Sequence, residues 1–313
     1  MESIQDIIKE SLRKTTFLVS SDCEELLREA LDREDNPAAR QFLASICENM
    51  DLARTRQQAL CQSPGYLTVY VAFGDRFFLP EVEDAIRQAV VELTQEGYCR
   101  PSIVDSLTRS NNGDNSGFRA PNFEYEYRPG ADYVEIIPSF KGCGVELFNQ
   151  MKVFTLPEIG PGYAGIKRFI LNTVQQGGGK PCLPGALGIG IGGQMDVAAK
   201  LSRKAVSTRS WKQRNEDPDI ARLEEELLEA VNDLNIGCGG IGGRSTILAV
   251  NIETAATHTA ICPVAINFHC WMARRDGLRI YPNGRLEAVS FAGYESEKVR
   301  DCVGSSLSST PAQ

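Results

Sequence analysis

A chain of 313 residues, 42% apolar and 24% charged, is long enough to bury a sizeable core and too ordinary in composition to be fibrous, low-complexity or disordered throughout. Its formal charge of −8 argues against a nucleic-acid or anionic-membrane partner, both of which need a basic face, so an anionic substrate has to be met by a local cluster of cations. Met1 to Glu10 includes acidic residues and lacks a continuous apolar stretch, and no run approaches the ~18 apolar residues of a membrane span, so a cytoplasmic protein without leader or membrane segment is expected.

Taken in chain order, the first sixty residues predict three helices: Ile4 to Leu12, a second through Glu24-Glu25-Leu26-Leu27, and Ala38 to about Ala59, each with apolar positions recurring every three or four residues. The turn Cys61-Gln62-Ser63-Pro64-Gly65 leads into a β-branched and aromatic strand, Tyr66 to Phe73, and a helix from Pro80 to Glu96. A polar loop, Thr108 to Gly117, is rich in residues that tolerate left-handed turns and precedes a strand at Phe123–Tyr127. Another strand, Tyr133–Pro138, runs into Lys141-Gly142-Cys143-Gly144-Val145-Glu146. A helix from Tyr163 to Gln175 ends at three glycines, and Lys180-Pro181-Cys182-Leu183-Pro184 precedes the glycine-rich Gly185 to Gly193 and a helix from Met195 to about Ala205. An acidic helix, Pro218 to Asn235, is followed by strands at Thr246–Ile252 and Pro263–Phe268, after which comes Cys270-Trp271-Met272-Ala273-Arg274-Arg275. Strands and helices mix without strict alternation, which predicts an α+β or mixed α/β fold.

Ten cysteines in a chain without a secretory signal are not read as disulfides, and no C-x-x-C pair points to a zinc ribbon or a ferredoxin-type run. Buried structural thiol accounts for most of them. Three stand where backbone can fold closely round an inorganic ligand: Cys61 before Pro64-Gly65, Cys182 between Pro181 and Pro184, and Cys270 after an apolar strand and near two arginines. Three thiolates would leave one iron of a cluster open to act as a Lewis acid. Cations near polar loops include Arg109, Arg119, Lys141, Lys180, Arg244, Arg274 and Arg275, each taken singly a solvated or structurally paired surface charge. A rival reading is a nucleotide-binding protein, because Gly188-Ile189-Gly190-Ile191-Gly192-Gly193 fits G-x-G-x-x-G before a helix. No strand frames an acidic residue about twenty positions later, so close helix–sheet packing is the better role for these glycines. The run Gly237 to Ser245 lacks the lysine before serine that a P-loop needs.

The ordered path of Cys61-Gln62-Ser63-Pro64-Gly65, Ile103 to Gly117, Lys141 to Glu146, Gly179 to Pro184, His258 and Cys270 to Arg275 resembles the class I fumarase and tartrate dehydratase α family. The resemblance covers most of the chain. It implies an α-type hydro-lyase domain over 1–303, with 1–60 as its helical N-terminal part and 304–313 as a disordered tail. It further implies a 4Fe-4S cluster on Cys61, Cys182 and Cys270, substrate contacts at Gln62, Arg109 and Gly142, and a catalytic role for His258 beside a fumarate-, malate- or tartrate-like dicarboxylate. A separate β subunit carrying further proton-transfer groups, and a higher oligomer, are expected partners. Two departures stand out: Ser63-Pro64 occupies the place of the family's Asp-Thr, and Gly142-Cys143-Gly144-Val145 that of three glycines and a serine. A cluster-binding subunit without catalytic activity is the alternative those departures leave open.

Overall fold

A computed structural model describes residues 3–61, 63, 65–289 and 291, so Gln62, Pro64, Cys302 and the tail 304–313 lie outside the described residues. The described elements run α1 (Ile4–Phe17), α2 (Ser21–Arg33), α3 (Pro37–Arg56), β1 (Tyr66–Phe73), α4 (Val82–Gln95), β2 (Asn122–Tyr127), β3 (Val134–Lys141), α5 (Cys143–Glu146), β4 (Gln150–Thr155), α6 (Leu156–Ile159), α7 (Ala164–Gly177), β5 (Gly185–Gly192), α8 (Met195–Thr208), α9 (Pro218–Asn232), β6 (Ile247–Ala255), β7 (Ile261–His269), β8 (Arg274–Arg275), β9 (Leu278–Ile280) and β10 (Leu286–Ala288). This is the mixed α+β architecture expected from the sequence. No described helix is long and apolar enough to cross a membrane.

The chain divides into two compact units. The first comprises the described residues up to Ser21, those from Ala53 to Phe140 and those from Arg274 on. Its sheet has the order β10-β9-β3-β1-β2, with β8 also pairing β3, and it mixes a parallel β1–β2 pair with antiparallel neighbours. α1 and α4 supply the other half of its core: Ile8, Leu12, Ile86, Val90 and Leu93 pack on Leu67, Val69, Val71, Val134 and Ile136. The start of α1 is fixed by a capping box, in which Ser3 Oγ accepts from the Asp6 N–H at 3.1 Å and Asp6 Oδ2 accepts from the Ser3 N–H at 3.0 Å.

The second unit comprises Asp22–Leu52 and Lys141–Ala273. Its sheet has the order β4-β7-β5-β6, with β5 parallel to β6 and antiparallel to β7. α8 lies against β5, and the glycines of that strand are what let it do so. A Cβ on Gly188 would fall inside the Ser202 carbonyl oxygen of α8, and one on Gly190 inside that of Ala198. The G-x-G-x-x-G run is therefore the buried strand itself and serves helix–sheet packing.

Candidate functional site

In the second unit, Cys182 precedes β5 by three residues and Cys270 immediately follows β7. These strands run antiparallel with Ala186 opposite His269, so both cysteines come to the same end of the sheet. Gly185 reinforces the approach, since a Cβ there would meet the His269 carbonyl and lie 3.3 Å from the Cys270 Cα. Cys182 is exposed and holds a left-handed φ of 57°. For a residue with a side chain that conformation costs on the order of 1–3 kcal/mol and is met mostly where function requires it. Cys270 is buried.

The loop expected to line a pocket reaches this same cysteine. Gly142 takes extended dihedrals as N-cap of α5, and the position a Cβ would occupy on Gly144 is only 3.6 Å from Cys182 Sγ. The α5 backbone and the Cys182 thiol thus stand close together.

Lys141 corrects the surface-charge reading of the cations, because its side chain is fully enclosed. Its Nζ donates to Asn267 Oδ1 on β7 and pairs with Glu146 Oε1 at 3.0 Å, and the same carboxylate oxygen takes Arg203 Nη1 at 3.0 Å. Burial pushes the Lys141 ammonium down to about 8; Glu146 opposes that lowering, the Arg203 cation adds to it, and negative charge on Cys270 favours the ammonium. Burial would raise the Glu146 carboxyl, but Lys141 and Arg203 outweigh it and hold the group below its ordinary value. The enclosure of Lys141, with Asn267 of β7 as acceptor, left no mark in the local sequence beyond its position at the end of an apolar strand.

His258 lies elsewhere in this unit. It sits in the exposed turn between β6 and β7, where its Nδ1 accepts from the Ala260 N–H at 3.2 Å. Since β7 runs its nine residues from that turn to His269, His258 is at the opposite end of the sheet from Cys182 and Cys270.

In the first unit, Cys61 is free and half-buried, and its Sγ accepts the Ser63 N–H at 3.4 Å. The Ser63 carbonyl in turn accepts from Arg274 Nη2 at 2.6 Å. Arg274 is 2% exposed and sits on β8 opposite Phe140, and its Nε has no acceptor among the described residues. Arg109 is exposed on a loop whose shape is set by its own side chains. Asp105 Oδ1 accepts from the N–H groups of Leu107 at 3.0 Å and Thr108 at 2.7 Å, which hold its carboxyl below the ordinary value, while buried Asn115 ties the loop to Ser102, Arg100 and Thr94. Arg109 and Asn115 take the left-handed φ foreseen for this segment. Among the described residues no three His, Cys, Asp or Glu side chains form a site for a single metal ion.

Comparison with known proteins gives a consistent picture. A family model described as fumarate hydratase (Fumerase) matches residues 5–279. A chain of Methanocaldococcus jannaschii, provisionally named L(+)-tartrate dehydratase subunit alpha, is 38% identical over 287 residues, covering 90% of this chain and 99% of its own. The L(+)-tartrate dehydratase subunit alpha of an Escherichia coli strain is 30% identical over 291 residues, 93% of this chain and 95% of its own, and that of Shigella sonnei is 29% identical over the same span.

Proposed function

The chain belongs to the fumarate hydratase family of hydro-lyases, and on that premise we propose that it is the cluster-binding α subunit of an iron–sulfur dehydratase acting on a tartrate-, malate- or fumarate-like dicarboxylate. The names of its relatives favour L(+)-tartrate as the first substrate to test and a β subunit as the partner. One observation carries the reading most directly: Cys182 and Cys270, eighty-eight positions apart, come to one end of the β5–β7 pair, with Gly144 against the Cys182 thiol.

The residues fit such a group. Cys61, Cys182 and Cys270 are outside any disulfide and carry thiols, the donor type that iron–sulfur clusters require, and Cys61 already accepts an N–H of the kind that stabilises cluster sulfur. The small Gly144 keeps space open beside Cys182. When bound, a 4Fe-4S cluster on these three thiolates supplies an open iron that draws on the substrate hydroxyl as a Lewis acid.

The chain's own residues do the rest of the work assigned to it. Arg109, exposed on its braced loop, neutralises one carboxylate of the diacid, and Gln62 and the Gly142 backbone orient it. Lys141 is enclosed and held by Asn267 and Glu146, so it acts on this end of the sheet through its charge. Ser63 stands where the family resemblance implies a carboxylate, so the group that takes the carbon-bound proton is assigned to the β subunit. His258, at the far end of β7 from Cys270, is not assigned that proton within this sheet.

Anaerobic purification with and without a co-expressed β subunit, followed by iron and sulfide analysis and an assay on L(+)-tartrate, malate and fumarate, tests the proposal. About four irons per chain and dehydration only in the complex are expected. A folded chain that takes up no iron sinks the cofactor reading.

A further inference from the structure

The first unit holds a buried charge that the fold alone does not balance. Arg274 is 2% exposed, yet among the described residues its hydrogen bonding consists of one carbonyl, that of Ser63, and no carboxylate pairs with it. Its neighbour Arg275, by contrast, reaches Ser20 Oγ at 3.4 Å and stacks over the Phe291 ring at 4.8 Å. A buried guanidinium with no counter-charge is costly, and evolution tolerates one mainly where an anion arrives to meet it. The single partner it does have is telling, because Ser63 is the residue whose N–H is given to Cys61 Sγ. Arg274 therefore grips one side of a peptide segment whose other side holds a thiol proposed as a cluster ligand.

We propose that Arg274 is the positioning residue for the Cys61 ligand, fastening Ser63, whose N–H the Cys61 sulfur accepts, through the Ser63 carbonyl and supplying the positive charge that the thiolate-bound cluster balances on loading. This rests on the cluster reading above. β8 has only two residues, and its antiparallel pairing, Arg274 with Phe140 and Arg275 with Ser139, fixes the backbone that carries the guanidinium. Cys99, packed in the same core, feels that charge too: burial pushes its thiol up to about 11, and Arg274 opposes the rise. Cys99 is 2% exposed, so the anion that Arg274 awaits is not a thiolate of the core.

The role separates from ordinary core packing by the sign of its effect on stability. Arg274→Gln and Arg274→Lys are prepared anaerobically in the full-length chain beside the parent, and each is studied with cluster bound and after its removal by a chelator. Without cluster, Arg274→Gln is expected to melt at or above the parent's temperature, because an unbalanced charge has gone. With cluster it should melt lower and lose iron to chelator about tenfold faster or more, the usual scale for an outer residue that orients a ligand. Arg274→Lys, which keeps charge but not the fork, should recover part of the cluster lifetime. A merely structural arginine would lower the melting temperature equally in both states and leave the rate of iron loss unchanged, and that result overturns the proposal. So does failure of both variants to fold. A parent chain that binds no cluster defeats the functional reading itself, whereas a loaded parent with unaltered variants defeats this inference alone.

Discussion

Individual side chains divide sharply by whether the fold encloses them. Cys23, Cys47, Cys99 and Cys238 are buried thiols; Cys23 Sγ donates to the Trp271 carbonyl at 3.0 Å and Cys238 Sγ to that of Ala39 at 3.3 Å, so both have a structural use. Replacing Cys270 by Ser should abolish or sharply reduce bound iron, whereas Cys47→Ser should leave it at the parent level and cost only stability, about 1 kcal/mol. Iron per chain after anaerobic reconstitution distinguishes them, and full iron in Cys270→Ser removes it from the ligand set. Asp276 offers a pH test in the first unit. Burial pushes its carboxyl up to about 6 from 3.8, although it accepts from Ser11 Oγ at 2.9 Å and the Gly277 N–H at 2.8 Å. The folded chain therefore keeps a proton between pH 4 and 6 that the unfolded chain has released, and this group's contribution to stability falls as pH rises through that window. Asp276→Asn keeps acceptor and shape, so its stability relative to the parent should improve by up to ~3 kcal/mol from pH 4 to pH 7. Urea titrations of both chains at several pH values measure that difference, and a constant offset would show that Asp276 is ionised throughout.

At the scale of elements, the glycines of β5 make a strong claim on α8. Gly188→Ala inserts a Cβ into the Ser202 carbonyl and against the Val206 side chain, with backbone on one side that cannot rotate away. A loss of about 2–3 kcal/mol, read from the urea midpoint, is expected, against a smaller loss for a glycine in open space such as Gly97, where only the positive φ resists. The same glycines mask β5 as a strand in the sequence: the contact with α8 requires glycine at 188 and 190 and leaves Ile189 and Ile191 as its only β-branched residues. β1 shows the opposite case, since Tyr66–Phe73 has aromatic and β-branched residues throughout and its sequence bounds coincide with the structure. β4 is an edge strand with every residue but Phe154 exposed, so its brief alternation, Gln150-Met151-Lys152-Val153, is not matched by burial. For the candidate site, the motifs named the cysteines, but only the β5–β7 register brings Cys182 and Cys270 together. The enclosure of Lys141 and Arg274 was likewise invisible, because a cation at the end of an apolar strand reads the same whether solvent or Asn267 receives it.

For the molecule as a whole, the division of labour with a partner makes separable predictions about binding and turnover. Every thiol assigned to the cluster is on this chain, so iron should bind without the β subunit. Where the family resemblance implies a carboxylate after Cys-Gln this chain has Ser63, so on the proposed reading turnover should appear only when the β subunit is added. Restoring the family residues by combining Ser63→Asp with Pro64→Thr then discriminates two histories. In a chain that had lost its chemistry, the double substitution with β subunit present would create fumarate hydration where the parent has none on any diacid. In a chain adapted to another diacid, the parent complex is active first, and the added carboxylate brings negative charge toward an anionic substrate, which is unfavourable unless a cation balances it. The new carboxylate would stand on the residue whose carbonyl Arg274 grips, and an ion pair with that guanidinium would take it out of proton transfer and weaken the grip on Ser63. The expected result is an active parent complex and a double variant with lower turnover on the parent's substrate and faster loss of iron. Rates on L(+)-tartrate, malate and fumarate, measured beside iron content for both complexes, decide it; fumarase activity confined to the double variant would show that the parent is a silent subunit.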